Sequence, residues 1–291
     1  MRLHLLLTSV LLAVTAYAGD DYAESIGRWR AERVARLTQP DGWLSLVGRH
    51  PLAPGLNTIG SAADNSIRLA VGPPYLGSAM FADGKVIFTP APGALLQIDG
   101  QSPHRAELAY QNDAPTRVTF DSAQFHVMTR GGQLFLRVRD AESPRLRQFA
   151  GLEYFPLDPS WRIEADWVPF TPARTVRIAN ILGQTYEASV PGKAVFTRDG
   201  QRHELLPIDD EPGGPLFFVL ADATSGRETY GGGRFLYADQ PRDGKVVLDF
   251  NRAQNPPCAF TPFATCPRPP RENHLAVPVR AGEKAYRGES P

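Results

Sequence analysis

The chain has 291 residues, 31 basic and 31 acidic, and so no formal net charge. That balance excludes the basic footprint expected of a nucleic-acid-binding protein. Its 26 glycines and 27 prolines are spread between short apolar runs, so they read as turn punctuation rather than as a low-complexity tract.

Arg2 and His4 open the chain, and Leu5 to Val14 is apolar apart from Thr8 and Ser9. Small residues follow at Ala16 and Ala18, then the polar Gly19-Asp20-Asp21. This is the layout of a secretory signal peptide. It assigns residues 1–18 to a cleaved leader and places the protein in the periplasm or outside the cell. No Cys follows the small residues, so a lipid anchor is not expected. The apolar run is short for a bilayer span, and no later segment is longer and as apolar. The mature protein is therefore expected to lack a membrane span. Residues 19–45 form an N-terminal helix and turn. In the helix, Tyr22 to Leu37, Ile26, Trp29, Arg33 and Leu37 share one side at spacings of three and four. Pro40-Asp41-Gly42 ends it, and Trp43 to Val47 begins the β portion.

Residues 46–140 read as a β-sandwich. The stretch Gly55-Leu-Asn-Thr-Ile-Gly60, the loop with Asp64-Asn65 and the run Ile67-Arg-Leu69 resemble the opening of a forkhead-associated domain. In that family an Arg follows the Ile-Gly pair and a Ser-x-x-His motif comes later. Here Ser61 replaces the Arg and the His is missing, so the resemblance implies the architecture without phosphothreonine reading. Gln133 to Asp140 alternates Leu134, Leu136 and Val138 against Phe135, Arg137 and Arg139. Glu142-Ser-Pro-Arg145 breaks the strand rhythm, and residues 141–291 form the C-terminal β unit. There Trp161 to Trp167 alternates cleanly. Short strands are expected at Thr175–Ala179, Thr185–Ser189, Lys193–Thr197 and His203–Pro207. Leu216 to Ala221 suits a strand covered on both sides. Further strands are expected at Thr229–Ala238, Lys245–Asn251 and Leu275–Arg280. The fold class is mainly β: an N-terminal helix, then a forkhead-associated-like β-sandwich packed with a C-terminal antiparallel β-barrel or sandwich.

Cys258 and Cys266 are the only cysteines. In an oxidising compartment a lone close pair is most simply a disulfide. A thiolate zinc site would need two further ligands, and none stand at zinc-like spacing. No metal and no cofactor is expected.

Three C-terminal stretches are rich in polar groups that strand formation does not require. Tyr230-Gly-Gly-Gly-Arg234 lets the backbone approach something closely, or forms a β-bulge. Asp249 and Asn251, two apart on a strand, share a face. The proline-rich run from Asn255 to Leu275 must be irregular. Asp41–Gly48, Phe149–Pro156, Thr229–Leu236, Asp249-Phe-Asn-Arg252, Asn255–Cys258 and Cys266–Leu275 together resemble the bacterial and archaeal domain-of-unknown-function family numbered 1684. The resemblance implies no activity. It marks Arg234, Asp249, Asn251, Cys258, Cys266, Glu272 and Asn273 as signature positions. Two readings follow. In one, Arg234, Asp249, Asn251, Glu272 and Asn273 converge on a small polar or anionic ligand, walled by Tyr230, Phe250 and Phe260. In the other, Asp249 and Glu272 are the acid–base pair of a hydrolase, although no nucleophile elbow or His-Glu-x-x-His motif accompanies them. A structural or assembly module without a pocket is the remaining alternative.

Overall fold

The computed structural model describes residues 5–111, 114–208 and 213–288, and of residues 5–20 the helical backbone alone. Residues 1–4 of the expected leader and 289–291 of the expected C-terminal unit lie outside the described residues. The fold is mainly β with one long N-terminal helix. Its residues group into two compact units. A sandwich unit comprises Leu37–Ala150, Phe260–Thr265 and the residues from Arg287. A helix-bearing unit comprises the chain up to Arg36, Gly151–Ala259 and Cys266–Tyr286.

The sandwich unit has two five-stranded sheets. One runs β1 (Leu46–Pro51), β10 (Gln133–Asp140), β9 (Ala123–Arg130), β8 (Val118–Phe120) and β6 (Gln97–Ile98). The other runs β3 (Ile67–Arg68), β2 (Gly55–Gly60), β4 (Gly77–Ala82), β5 (Lys85–Pro90) and β7 (Ala106–Glu107). Period-two alternation decides which side chains face inward. Leu134, Leu136 and Val138 of β10 enter a core shared with Phe125, Ile59, Val86 and Phe88. Phe88 and Phe125, one from each sheet, meet edge to face at 5.5 Å, a geometry worth about 1 kcal/mol beyond the area buried. Asp83-Gly84 joins β4 to β5 with both φ angles positive. That is the two-residue turn whose twist matches the paired strands.

In the helix-bearing unit, α1 (Leu5–Leu37) buries Ile26 and Arg33, as the three-four spacing predicts. Its main sheet runs β13 (Gln201–Leu205), β12 (Thr185–Arg198), β11 (Arg162–Ala179) and β16 (Lys245–Asp249). The four short strands expected between Trp161 and Thr197 are in fact two long ones. Pro169 and Pro172 do not end β11, because the register slips between Pro169 and Arg174. Such a bulge tolerates a residue without a donor. β14 (Leu216–Leu220) pairs with β15 (Arg234–Ala238), and all five β14 side chains are buried, as the unbroken apolar run predicts. The core gathers Phe218, Leu236, Leu248, Phe196 and Phe250, with Trp161 edge-on to Phe250 at 5.6 Å.

Two expected strands are corrected. β15 starts at Arg234 rather than Thr229, because Gly233 has φ +91° and turns the chain. Residues 275–280 keep alternating burial, with Leu275, Val277 and Val279 inward, yet form no strand. Pro278 lacks a donor; Leu275 and Val277 still bond the backbone of Ala221 and Ala223, but the Val279 N–H goes to Asp222 and its carbonyl to Arg234. No helix among the described residues is long and apolar enough to cross a membrane.

Candidate functional site

On β16, Val246 and Leu248 point into the core and Asp249 points the other way. Asp249 lies opposite Arg162 in the β11–β16 ladder. Its Oδ1 accepts the backbone N–H of Asn251 at 3.2 Å. This local bond competes with the ladder, and Phe250–Arg252 becomes a 3₁₀ turn. The expectation that Asn251 shares a strand face with Asp249 is therefore corrected. Asn251 is fully buried. Its Nδ2 donates to the Asp158 carbonyl (2.8 Å) and to the Tyr22 hydroxyl (3.0 Å), and its Oδ1 accepts from the Asp158 N–H (3.2 Å).

The Tyr22 hydroxyl in turn donates to Asp249 Oδ1 at 2.7 Å. Burial first, then the hydrogen bond and charge of Asp249, push that hydroxyl well above the ordinary tyrosine range, so Tyr22 remains a protonated donor. Arg252 Nε approaches the other carboxylate oxygen at 3.3 Å. Beside this cluster opens a pocket of about 420 Å³, bordered by Trp29, Arg162, Tyr237, Asp239, Asp249 and Arg252 among others.

The remaining predicted residues lie elsewhere. Arg234 is completely buried and pairs with the equally buried Asp222 at 2.9 Å. It also donates to the carbonyls of Val279 (2.8 Å), Ala281 and Glu283 (3.3 Å). Burial draws its guanidinium below the ordinary arginine value, and the Asp222 charge opposes that shift. The glycines before it serve the fold: a Cβ on Gly233 would lie 2.7 Å from the Leu220 carbonyl oxygen and 2.6 Å from Pro269. Asn273 is buried and bridges two chain segments, accepting from Leu206 N–H (2.7 Å) and donating to the carbonyls of Leu206 and Val219 (2.8 Å each). Tyr230 donates to the Cys258 carbonyl at 3.3 Å. Glu272 is exposed on a 3₁₀ turn and does not border the pocket, so it does not share that cavity with Asp249. Phe250 and Phe260 are core residues with no solvent exposure. The walls are instead aromatic at Trp29 and Tyr237. Cys258 and Cys266 form a disulfide. Among the described residues, no three His, Cys, Asp or Glu side chains are grouped so as to hold a metal.

Residues 147–284 match the family described as "Protein of unknown function (DUF1684)". The uncharacterized protein from gene locus rrnAC0354 of Haloarcula marismortui, solved by solution NMR, is 32% identical, with 48% of this chain and 80% of that one covered and a TM-score of 0.41. The chain belongs to the DUF1684 family. No curated protein matches it. The DUF1684 segment supplies Arg162, Tyr237, Asp249 and Arg252, whereas Trp29 and Tyr22 come from α1, outside the matched residues. Sequence reasoning missed Arg162, Trp29 and Tyr237 as pocket residues. Arg252 carried a signal, since it closes the Asp249-Phe-Asn-Arg252 motif. Tyr22 carried none, being 227 residues from the carboxylate it contacts.

Proposed function

We propose that this is an exported cell-envelope protein that binds a small polar or anionic ligand in the pocket beside Asp249. The observation that carries the binding reading is the composition of that pocket. Two arginines, Arg162 and Arg252, and two carboxylates, Asp239 and Asp249, line it together with the aromatic Trp29 and Tyr237. Aromatic walls with a few placed polar groups are the usual make-up of a small-molecule site, and about 420 Å³ falls in the usual size range. A carboxylate would meet the arginine forks, and hydroxyls would meet Asp249. Export is supported by the leader-like pattern of residues 1–18 and by the disulfide, a bond that persists in oxidising compartments.

Glucuronate, which carries both chemistries, is the probe for binding, with glucose and citrate as its separate halves. Glucuronate at millimolar concentration is expected to shift the Trp29 indole resonance. Arg252→Gln should weaken it about tenfold, the cost of one charge-assisted hydrogen bond. If none of the three probes moves that resonance, the pocket reading fails. Export is checked separately by mass spectrometry of the envelope fraction, where Gly19 is expected as the first residue. Recovery of chains that still begin at Met1 would remove the leader assignment.

A further inference from the structure

We propose that the outer face of the β1–β10–β9 sheet binds a phosphate group, held by Arg49, Arg137 and Arg139. The proposal concerns the sandwich unit and does not depend on the pocket beside Asp249. The inward residues of β10 are apolar, so its outward positions are free to vary, and here they carry Arg137 and Arg139. Arg137 stands directly opposite Arg49 on β1 and opposite His126 on β9. Like charges in directly opposed positions destabilise a sheet. Evolved faces normally intersperse carboxylates, yet among the described residues no Asp or Glu comes within 4.0 Å of Arg49, Arg137 or Arg139. Asp41 approaches Arg117 at 3.9 Å, and from beyond ion-pair distance its charge partly offsets the desolvation of Arg139.

The three arginines are half-buried. The Nε atoms of Arg137 and Arg139 are shielded from water and have no hydrogen-bond partner. Desolvation, then Arg139, Arg130 and Arg49, pull Arg137 down to about 10, and desolvation also lowers Arg139 and Arg49. His126 is drawn down to about 4 by its burial and by the charges of Arg139, Arg137 and Arg117, so its imidazole is neutral at pH 7. Arg137 stacks toward Trp43 and Arg49 toward Phe135, each at 5.5 Å. These contacts hold the planar forks in place without neutralising them. The arrangement is costly for the protein alone and complementary to a phosphate group, a compact anion with several acceptor oxygens. Planar forks bind phosphate bidentately. The face is distinct from the loop after β2 that holds Ser61, which belongs to the other sheet.

The test uses the full mature chain in Tris chloride at fixed ionic strength. Inorganic phosphate and pyrophosphate are titrated by calorimetry, and phosphatidylglycerol vesicles are compared with phosphatidylcholine vesicles by co-sedimentation. Binding of soluble phosphate identifies a free ligand, and binding to phosphatidylglycerol vesicles alone identifies a lipid headgroup; either supports the site. Arg137→Gln should weaken the observed binding at least tenfold, while Arg28→Gln, on an exposed turn of α1, should leave it unchanged. In phosphate-free buffer Arg137→Gln should also raise the melting temperature, because it removes repulsion. Absence of binding to every phosphate probe overturns the proposal. So does binding that survives Arg137→Gln, or a fall in the melting temperature of that variant without phosphate.

Discussion

Replacing Arg234 with methionine is expected to destabilise the protein by about 3–5 kcal/mol, the range for breaking a buried ion pair on one side. The substitution leaves Asp222 fully buried with its Oδ2 unpartnered, and it orphans the carbonyls of Val279 and Ala281. Asp222 keeps its other bonds, to the Thr224 hydroxyl at 2.6 Å and the Val279 N–H at 3.1 Å. Arg234→Lys preserves the charge but cannot span Asp222 and several carbonyls at once, so it should lose less than methionine and clearly more than nothing. The double variant Arg234→Met, Asp222→Leu should recover part of the loss, since no uncompensated charge remains. Urea unfolding midpoints at constant slope measure all three. A loss below about 1 kcal/mol in Arg234→Met would mean that the pair does not anchor the C-terminal segment.

Glu283→Ala should have a comparable effect with a different signature. Glu283 has no solvent exposure; one carboxylate oxygen accepts Arg33 Nε at 2.9 Å and the other accepts the Asn255 N–H at 2.7 Å. Its loss takes that carboxylate from Arg33, on the buried side of α1, which also donates to the Asn255 carbonyl at 2.8 Å. We expect about 3–5 kcal/mol of global destabilisation together with selective loss of hydrogen-exchange protection in α1 between Tyr22 and Leu37. Glu283→Gln, which can still accept the Asn255 N–H, should fall between the alanine variant and the native protein. Undiminished α1 protection in Glu283→Ala would show that apolar contacts alone dock the helix.

What the sequence displayed and what it concealed divide along physical lines. Period 3.6 marked the buried side of α1, with Ile26, Arg33 and Leu37 inward, and period 2 marked β10, because local geometry alone generates those patterns. The apolar run of β14 was equally plain. The continuity of β11 was not, since its prolines read as strand ends until the register slip is seen. The site was legible only in part. Asp249 does border a pocket, but the family's other signature residues mark different things. Arg234, Asn251 and Asn273 are buried bridges between chain segments, and their polarity reflects orphan carbonyls and amides to be satisfied. A polar residue inside a motif announces a partner without saying whether that partner is a ligand or the chain itself. Trp29 reaches the pocket, and Tyr22 reaches Asp249, from a segment remote in sequence, which no local pattern can reveal.

The bond between Arg33 and Glu283 joins residues 250 positions apart. It therefore dictates when the helix-bearing unit can be finished. During synthesis the helix emerges 250 residues ahead of the carboxylate that secures it. Closing so long a loop makes this unit a late folder compared with units built from neighbouring strands. Until then Arg33, Arg234 and Asp222 have no reason to leave water, and this unit stays open. On the export proposed above, that delay would keep this unit unfolded, and so translocation-competent, without any dedicated device.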